Sequence, residues 1–209
     1  PDFRSPDGLY AQKYPYPPEQ MVSRSFFDAN PSAFFDFYCD RMLALDAQPN
    51  RAHRKLAELE QAGTLAAVVT QNIDGLHQKA GSKNVLELHG SVLRNFCMAC
   101  GAAYSVDNLL AFARSPTQRA AMPRLRRHRQ TRRRAVRGAL NERTVHGAVN
   151  AIAQADLLVV AGTSLAVYPA AGLITSSQGA ARIVNHTPTP RDRQADLCIA
   201  ANVGEVFGF

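Results

Sequence analysis

Three short polar runs in the sequence contain side chains that can bind a ribose or a phosphate group. They lie at residues 70–74, 162–164 and 185–187, and each directly follows an apolar segment. Hydroxyls, amides and a carboxylate can hold a sugar, and glycine lets a phosphate approach the backbone closely. Each run alone is also a common turn sequence, because Asn, Asp, Gly and Thr favour turns. Three such runs after three apolar segments predict one nucleotide-binding crevice.

One of the six histidines, His89, directly precedes Gly90 and lies eight residues before Cys97. Its unperturbed pKa of about 6.5 suits an imidazole to proton transfer near neutral pH. The position also fits a zinc ligand or a hydrogen-bonded structural histidine. The residue types alone leave these three roles open.

The four cysteines form one close pair and two isolated residues. Cys97 and Cys100 make a C-x-x-C pair, whereas Cys39 and Cys198 lie far from it. This pattern does not indicate the disulfide framework of a secreted protein. It fits half of a zinc site or a redox pair, and both fit a cytoplasmic protein.

Helices and strands in alternation are predicted to position these groups. Apolar residues at three- and four-residue steps indicate the first helix, and Gly63 is suited to cap the second in a left-handed conformation. After a loop over 1–18, the predicted elements are helices over 31–45 and 51–62, a strand over 65–69, a helix over 144–154, a strand over 157–160, a helix over 168–177 and a strand over 182–184.

This alternation is typical of an α/β fold, in which a Rossmann-like parallel sheet is flanked by helices. The ligand of such a sheet lies beyond the carboxyl ends of the strands. We therefore expect the three polar runs to meet at one edge of the sheet.

Two sequence motifs, TQNIDGLH at 70–77 and ELHG at 87–90, strongly resemble those of the sirtuin family of bacterial type. The resemblance extends over nearly the whole chain except residues 116–139. It includes the following shorter matches: PDFRS at 1–5, CMAC at 97–100, GTSL at 162–165, VYPA at 167–170, Asn185, and ADLC at 195–198. It implies an NAD-dependent protein-lysine deacylase, with deacetylation as the first expectation, that transfers the acyl group to ADP-ribose and releases nicotinamide.

The same resemblance implies a role for individual residues. His89 would be the catalytic base for a ribose hydroxyl, and Val167 would contact the acylated lysine of a protein substrate. The residues expected to bind NAD are Asp2, Phe3, Arg4, Gln71, Asn72, Asp74, Gly162, Thr163, Ser164, Asn185, His186, Thr187 and Cys198.

Tyr38 and Arg41 form a Tyr-x-x-Arg motif that in some sirtuins binds acidic acyl groups such as succinyl or malonyl. A phenol and a guanidinium can clamp a carboxylate. The alternative, which we favour, is that Tyr38 packs in the core and Arg41 is a solvated helix residue.

The resemblance also implies a domain organisation with two incomplete parts. An NAD-binding domain is expected over 1–90 and 141–209, and a small inserted zinc-binding module over 91–140. Sirtuins have a strand and a glycine-rich turn for the NAD pyrophosphate ahead of the segment that resembles residues 1–5, so the chain as it stands is expected to bind NAD poorly. Cys97 and Cys100 supply two of the four ligands of a structural zinc site.

The missing second C-x-x-C pair would fall in an arginine-rich segment over 122–138. Codons can be chosen for this segment that, read one base later, encode CPACGGIVKPDVVLYE, which contains the missing pair. We therefore hypothesise a local frameshift, and codons that cannot encode this run in the shifted frame would refute it. The alternative is a nucleic-acid-binding arm, since clustered arginines neutralise phosphates, but no aromatic residues are interleaved with these arginines.

The bulk composition indicates an ordinary globular protein. Of 209 residues, 46% are hydrophobic and 20% charged, and no apolar run approaches the roughly 20 residues that span a bilayer. The net charge of +7 comes from eight arginines at 124–137, without which 16 basic and 17 acidic residues remain. Neither a membrane nor a nucleic acid is an expected partner. Two alternatives to the deacylase remain, an inactive sirtuin remnant and an ADP-ribosyltransferase.

Overall fold

A computed structural model describes residues 14–97, 100–114, 142–168 and 170–208. The predictions for Asp2, Phe3 and Arg4 and for the arginine-rich segment lie outside the described residues. Those residues divide into two compact units. The first comprises 14–46 and 91–114, and the second comprises 47–90 and 142–208.

The helices and strands occur in the following chain order: α1 (Pro18–Met21), α2 (Arg24–Ala29), α3 (Pro31–Phe37), a π-helical turn (Tyr38–Met42), α4 (Arg51–Gln61), β1 (Val68–Thr70), α5 (Leu76–Ala80), β2 (Val85–Glu87), β3 (Asn95–Phe96), β4 (Ala103–Tyr104), α6 (Val106–Arg114), α7 (Glu142–Ala153), β5 (Leu157–Ala161), α8 (Ala170–Leu173), a 3-10 turn (Ile174–Ser176), β6 (Ala180–Val184), a second 3-10 turn (Asp192–Gln194), β7 (Leu197–Ile199) and α9 (Val203–Val206).

The first unit is built on the short helices α1 to α3 and an aromatic core. Met21, Phe26 and Phe37 form its buried cluster. The predicted helix over 31–45 is observed, but it widens into a π turn and ends at Met42. Leu43 is extended, with φ −87° and ψ 100°, and its amide N–H donates to the carbonyl oxygen of Tyr38 at 3.2 Å. The helix therefore stops three residues before the predicted end.

In the second unit, residues with favourable capping properties stand at both ends of α4. The Asn50 side chain accepts a hydrogen bond from the amide N–H of His53, and the His53 ring accepts one from the amide N–H of Asn50. This reciprocal arrangement is a capping box. Gly63, just past the C-cap, has a φ of +75°, the left-handed conformation predicted for it.

All strands of the second unit pair in parallel. β1 pairs with β2, and β5, β6 and β7 form a three-stranded sheet in that order. Among the described residues the strands thus form two hydrogen-bonded sheets rather than the single predicted one. The first strand begins at Val68 and not at residue 65. The Rossmann-like class, parallel strands with helices packed on them, is confirmed.

One hydrophobic cluster joins both parallel sheets. Its buried centre is formed by Leu88, Ala148 and Ile152 together with Ala170 and Leu173. Side chains from β1, β2 and β5 pack against this centre. The carboxyl ends of β1 and β5 are therefore held in one unit although the two strands belong to different sheets. No helix in the described part of the chain is long and apolar enough to cross a membrane.

Candidate functional site

The loop after β1 is held by backbone hydrogen bonds to side chains. The hydroxyl of Thr70 accepts from the amide N–H of Asn72 at 3.0 Å, and the carboxylate of Asp74 accepts from the amide N–H of Leu76 at 2.9 Å. Gly75 between them has a φ of +73° and is the N-cap of α5. Asn72 remains exposed and Asp74 is half-buried. The first polar run is thus an ordered loop with an accessible amide.

The loop after β5 contacts the loop after β1 directly. The side-chain nitrogen of Gln71 donates to the hydroxyl of Thr163 at 3.2 Å, and the same hydroxyl accepts from the amide N–H of Leu165 at 3.3 Å. Gly162 has a φ of +62°, where a side chain would be strained, and Ser164 is exposed. The structure therefore brings the first and second polar runs together.

The third polar run, after β6, is held by a hydrogen bond within the run. The Asn185 side-chain amide donates to the carbonyl oxygen of Thr187 at 2.7 Å, and His186 and Thr187 are exposed. Cys198 on β7 pairs in register with Ile183 on β6, and its exposed thiol lies 3.6 Å from the carbonyl oxygen of Asp192. Within the described ranges no hydrogen bond links this run to the other two.

His89 lies just beyond β2, at the same sheet edge as the first polar run. Thr70 and Glu87 face each other as the last residues of β1 and β2, so the chain leaves both strands on one side. Leu88 is buried, whereas His89 is exposed. Neighbouring protein atoms nevertheless cover part of the ring, and this partial burial lowers the pKa of the imidazole. A neutral imidazole near pH 7 can accept a proton.

Two histidines had no role predicted from the sequence, although one of them, His77, ends the TQNIDGLH motif. The rings of His53 on α4 and His77 on α5 lie 4.7 Å apart between centroids. The His77 Nδ1 atom is buried and has no hydrogen-bond partner among the described residues. Burial, and secondarily the charge of His53, lowers the pKa of His77 to about 4. No motif predicts that the two rings meet, because the two residues lie on different helices.

The segment after Leu165 carries the predicted contact for the substrate. Leu165 is buried with a φ of +49°, which is unusual for a residue other than glycine. The Val167 carbonyl oxygen accepts from the amide N–H of Ala171 at 2.9 Å. Its own amide N–H donates to no other described residue. Next to it, the Tyr168 side chain is 68% exposed.

In the first unit, Tyr38 and Arg41 contact different partners. The Tyr38 hydroxyl lies 3.5 Å from the carbonyl oxygen of Val92, and burial raises the pKa of Tyr38 to about 12. The Arg41 guanidinium lies 3.0 Å from the Asp40 carboxylate and donates to the Tyr14 hydroxyl. Tyr38 is thus partly buried in its unit, and Arg41 is an exposed residue with an acidic neighbour.

Cys97 and Cys100 lie in the turn between β3 and β4. The Cys97 amide N–H donates to the carbonyl oxygen of Ala102 at 2.8 Å, and Gly101 donates back to the Cys97 carbonyl oxygen at the same distance. Neither cysteine forms a disulfide. In the part of the chain that the structure describes, no three His, Cys, Asp or Glu side chains group as metal ligands. Two thiols do not complete a structural zinc site, which takes four ligands.

Comparison with known proteins gives matches over nearly the whole chain. The Sir2 family pattern matches residues 1–169. An NAD-dependent protein deacetylase of Clostridium acetobutylicum is 45% identical over 213 residues, covering 99% of this chain and 84% of the relative. NAD-dependent protein deacylase 2 of Archaeoglobus fulgidus is 39% identical, covering 99% and 82%.

Solved structures agree with these matches. A Sir2 protein bound to an acetylated peptide aligns with a TM-score of 0.76 at 32% identity, covering 91% of this chain and 82% of its own. A Sir2 complex with a p53 peptide and NAD+ aligns with a TM-score of 0.74 at 33% identity, covering 94% and 83%.

Proposed function

The chain belongs to the Sir2 family, and from that premise we propose that it removes acetyl groups from lysine side chains of proteins in a reaction that consumes NAD. Its class is that of the NAD-dependent protein deacetylases and deacylases. The observation that carries the proposal for the site is the hydrogen bond between Gln71 and Thr163. It links the two polar loops, and His89 leaves β2 at the same edge as the first of them.

The residues of these loops suit an NAD molecule chemically. Gly162 presents backbone without a side chain, and the exposed Asn72 and Ser164 offer an amide and a hydroxyl for ribose and phosphate oxygens. We assign Gln71, Asn72 and Asp74 to the nicotinamide ribose, and Asn185 with the backbone near Cys198 to the adenosine side. When bound, NAD supplies the ribose carbon that takes the acyl oxygen and the nicotinamide that leaves.

His89 acts as the general base in this proposal. Its exposed imidazole can reach a bound ligand, and the lowered pKa keeps it neutral at pH 7. A neutral imidazole can take the proton of a ribose hydroxyl while the acyl group is transferred. Gly90, with a φ of +75°, turns the chain immediately after it and so leaves the ring at the edge.

Val167 contacts the substrate peptide. Its amide N–H donates to no other described residue, so it can pair with the backbone of an extended peptide as an added strand. We favour an uncharged acyl group, because Asp40 already neutralises the Arg41 guanidinium and Tyr14 occupies one of its donors. The carboxylate of a succinyl or malonyl group would have to compete with Asp40 for this guanidinium.

Cys97 and Cys100 provide two thiolate ligands for zinc in this proposal. The amide N–H and the carbonyl oxygen of Cys97 are hydrogen-bonded within the hairpin, to Ala102 and Gly101. The described residues supply no further ligands, so we expect weak zinc binding and assign the metal no part in the reaction.

Release of nicotinamide from NAD, measured with and without an acetyl-lysine peptide, tests the proposed function. We expect release only when the peptide is present, together with equal amounts of deacetylated peptide. Release without the peptide, with label transferred from NAD to another acceptor, would identify an ADP-ribosyltransferase instead. Bound NAD without turnover would identify an inactive remnant.

A further inference from the structure

Tyr168 is the most exposed large apolar side chain of the described residues and stands next to the proposed peptide contact. Its relative exposure is 68%, although it directly follows the half-buried Val167. The ring lies against the backbone of α8, since a Cβ atom built on Gly172 would be 3.5 Å from its Cε1 atom. The ring therefore lies beside α8 at the surface, next to the proposed peptide contact.

An arginine from a distant part of the chain covers this ring. The Arg191 guanidinium carbon lies 5.8 Å from the centroid of the Tyr168 ring, and the guanidinium donates to the Tyr168 hydroxyl. A guanidinium over an aromatic face is attracted by the ring electrons. This contact orients the positive charge and leaves most of its N–H donors available.

The carboxylate that follows Arg191 in the sequence, Asp192, is engaged by Thr189. The buried Thr189 donates to Asp192 through its amide N–H, at 3.1 Å from both carboxylate oxygens, and through its hydroxyl at 2.6 Å. The Arg191 amide N–H donates to the Thr189 hydroxyl at 3.2 Å. The Asp192 carboxylate is thereby bound within the loop.

No other carboxylate compensates the Arg191 charge within the described ranges. The next acidic residue, Asp196, pairs with Arg182 at 3.2 Å and accepts from the amide N–H of Ala181 at 2.7 Å. None of the ion pairs among the described residues includes Arg191. An oriented guanidinium with open donors is suited to bidentate binding of a carboxylate.

We propose that Arg191, held on Tyr168, recognises an acidic side chain of the substrate close to the acetylated lysine. An extended peptide advances about 3.3 Å per residue, so a glutamate or aspartate within about three residues of a lysine held at Val167 comes into range of Arg191. This inference rests on the proposed function and names the substrate class of its site. Arg191 is a specificity-determining residue and not a catalytic one.

Pairs of acetyl-lysine peptides that differ only by Glu or Gln at one flanking position test this inference. We expect the kcat/KM ratio of the Glu to the Gln peptide to be about fivefold at its best position. The difference should lie mainly in KM, because the contact is the same in the ground state and the transition state. It should shrink with added salt, which screens an exposed charge pair.

Two variants and one control separate recognition from a structural role. Arg191→Gln should bring the ratio to one, and Tyr168→Phe should reduce it by releasing the guanidinium from the hydroxyl. Arg193→Gln is the control, since Arg193 is an exposed arginine two residues away, and it should keep the wild-type ratio. Thermal melting of each variant checks that the loop still folds.

The test distinguishes failure of this inference from failure of the proposed function. Turnover of the Gln peptide reports the deacetylase activity alone, whereas the ratio reports Arg191. Equal kcat/KM values for both peptides at every position would overturn the inference, as would a ratio that survives in Arg191→Gln. If no peptide is turned over, fluorescence anisotropy measures the affinities of the same labelled peptide pairs. The ratio of the Glu-peptide affinity to the Gln-peptide affinity then tests the inference.

Discussion

Two regions of the molecule consist of short turns that carry a sequence motif: the polar loops after β1 and β5, and the Cys97–Cys100 hairpin. They differ in whether another segment of the chain contributes a partner. The loops exchange a hydrogen bond between Gln71 and Thr163, residues 92 positions apart in the sequence. Hydrogen bonds of Cys97 with Ala102 and Gly101 close the hairpin, and no described residue adds a third metal ligand.

This difference shows why a motif predicts function better in one region than in the other. The hydrophobic cluster holds the carboxyl ends of β1 and β5 in one unit, so their loops meet although they are distant in sequence and follow strands of different sheets. A zinc half-site has no such scaffold, because its remaining ligands must come from a separate segment. The chemistry of the second unit therefore follows from its fold, whereas that of the hairpin depends on residues elsewhere.

Removal of the His89 imidazole should have the largest effect. His89→Ala is expected to lower kcat for deacetylation by about 10²–10⁴-fold, the usual loss for a general base. Melting should be unchanged because the side chain is exposed. His146→Ala, an exposed histidine on α7, serves as the control. Activity retained in His89→Ala would remove the main reason to place the chemistry at this edge.

Acidification should destabilise the second unit through His77. Its pKa of about 4 in the folded protein lies below the unfolded value of about 6.5. Between these pH values the unfolded chain binds more protons, so the free energy of unfolding falls as the pH drops from about 6.5 to 4. The carboxylates of Asp74 and Glu87 oppose the shift and the charge of His53 adds to it.

Thermal melting as a function of pH measures this effect. With allowance for the partial exposure of the ring, we expect His77 to contribute about 2 kcal/mol of the loss. His77→Leu should flatten the dependence between pH 6.5 and 4, whereas His146→Gln should leave it unchanged. Parallel curves for wild type and His77→Leu would exclude His77 as the source.

The link between the two loops should have an intermediate effect. Thr163→Val removes the hydroxyl that Gln71 and Leu165 donate to. A lost hydrogen bond costs about 1 kcal/mol, so we expect KM for NAD to rise by about five- to tenfold. Thr64→Val, at an exposed threonine, is the control. In a double-mutant cycle with Gln71→Ala, purely additive losses would mean that the hydrogen bond has no role.

The sequence predicted these loops because local patterns and motifs coincide there. Apolar patterns located α4, β5 and β6 to within a few residues. The strand-end rule predicted that three polar runs meet, and a hydrogen bond joins two of them. Two contacts could not be predicted in this way: the one between the rings of His53 and His77, and the one between the Arg191 guanidinium and the Tyr168 ring. Each joins residues on different elements, and tertiary packing alone sets their distance.

Loss of the two thiols should have the smallest effect and tests the comparison most directly. With only two ligands, zinc should dissociate in EDTA, and the melting temperature should change by no more than about 2 °C. Cys97→Ser with Cys100→Ser should behave like the EDTA-treated wild type and keep nicotinamide release within about twofold, because the reaction groups lie in the other unit. Cys39→Ser is the matched control. A fall of about 10 °C or more in EDTA, absent in the double variant, would mean that four ligands assemble around this hairpin and that the two regions are equally complete.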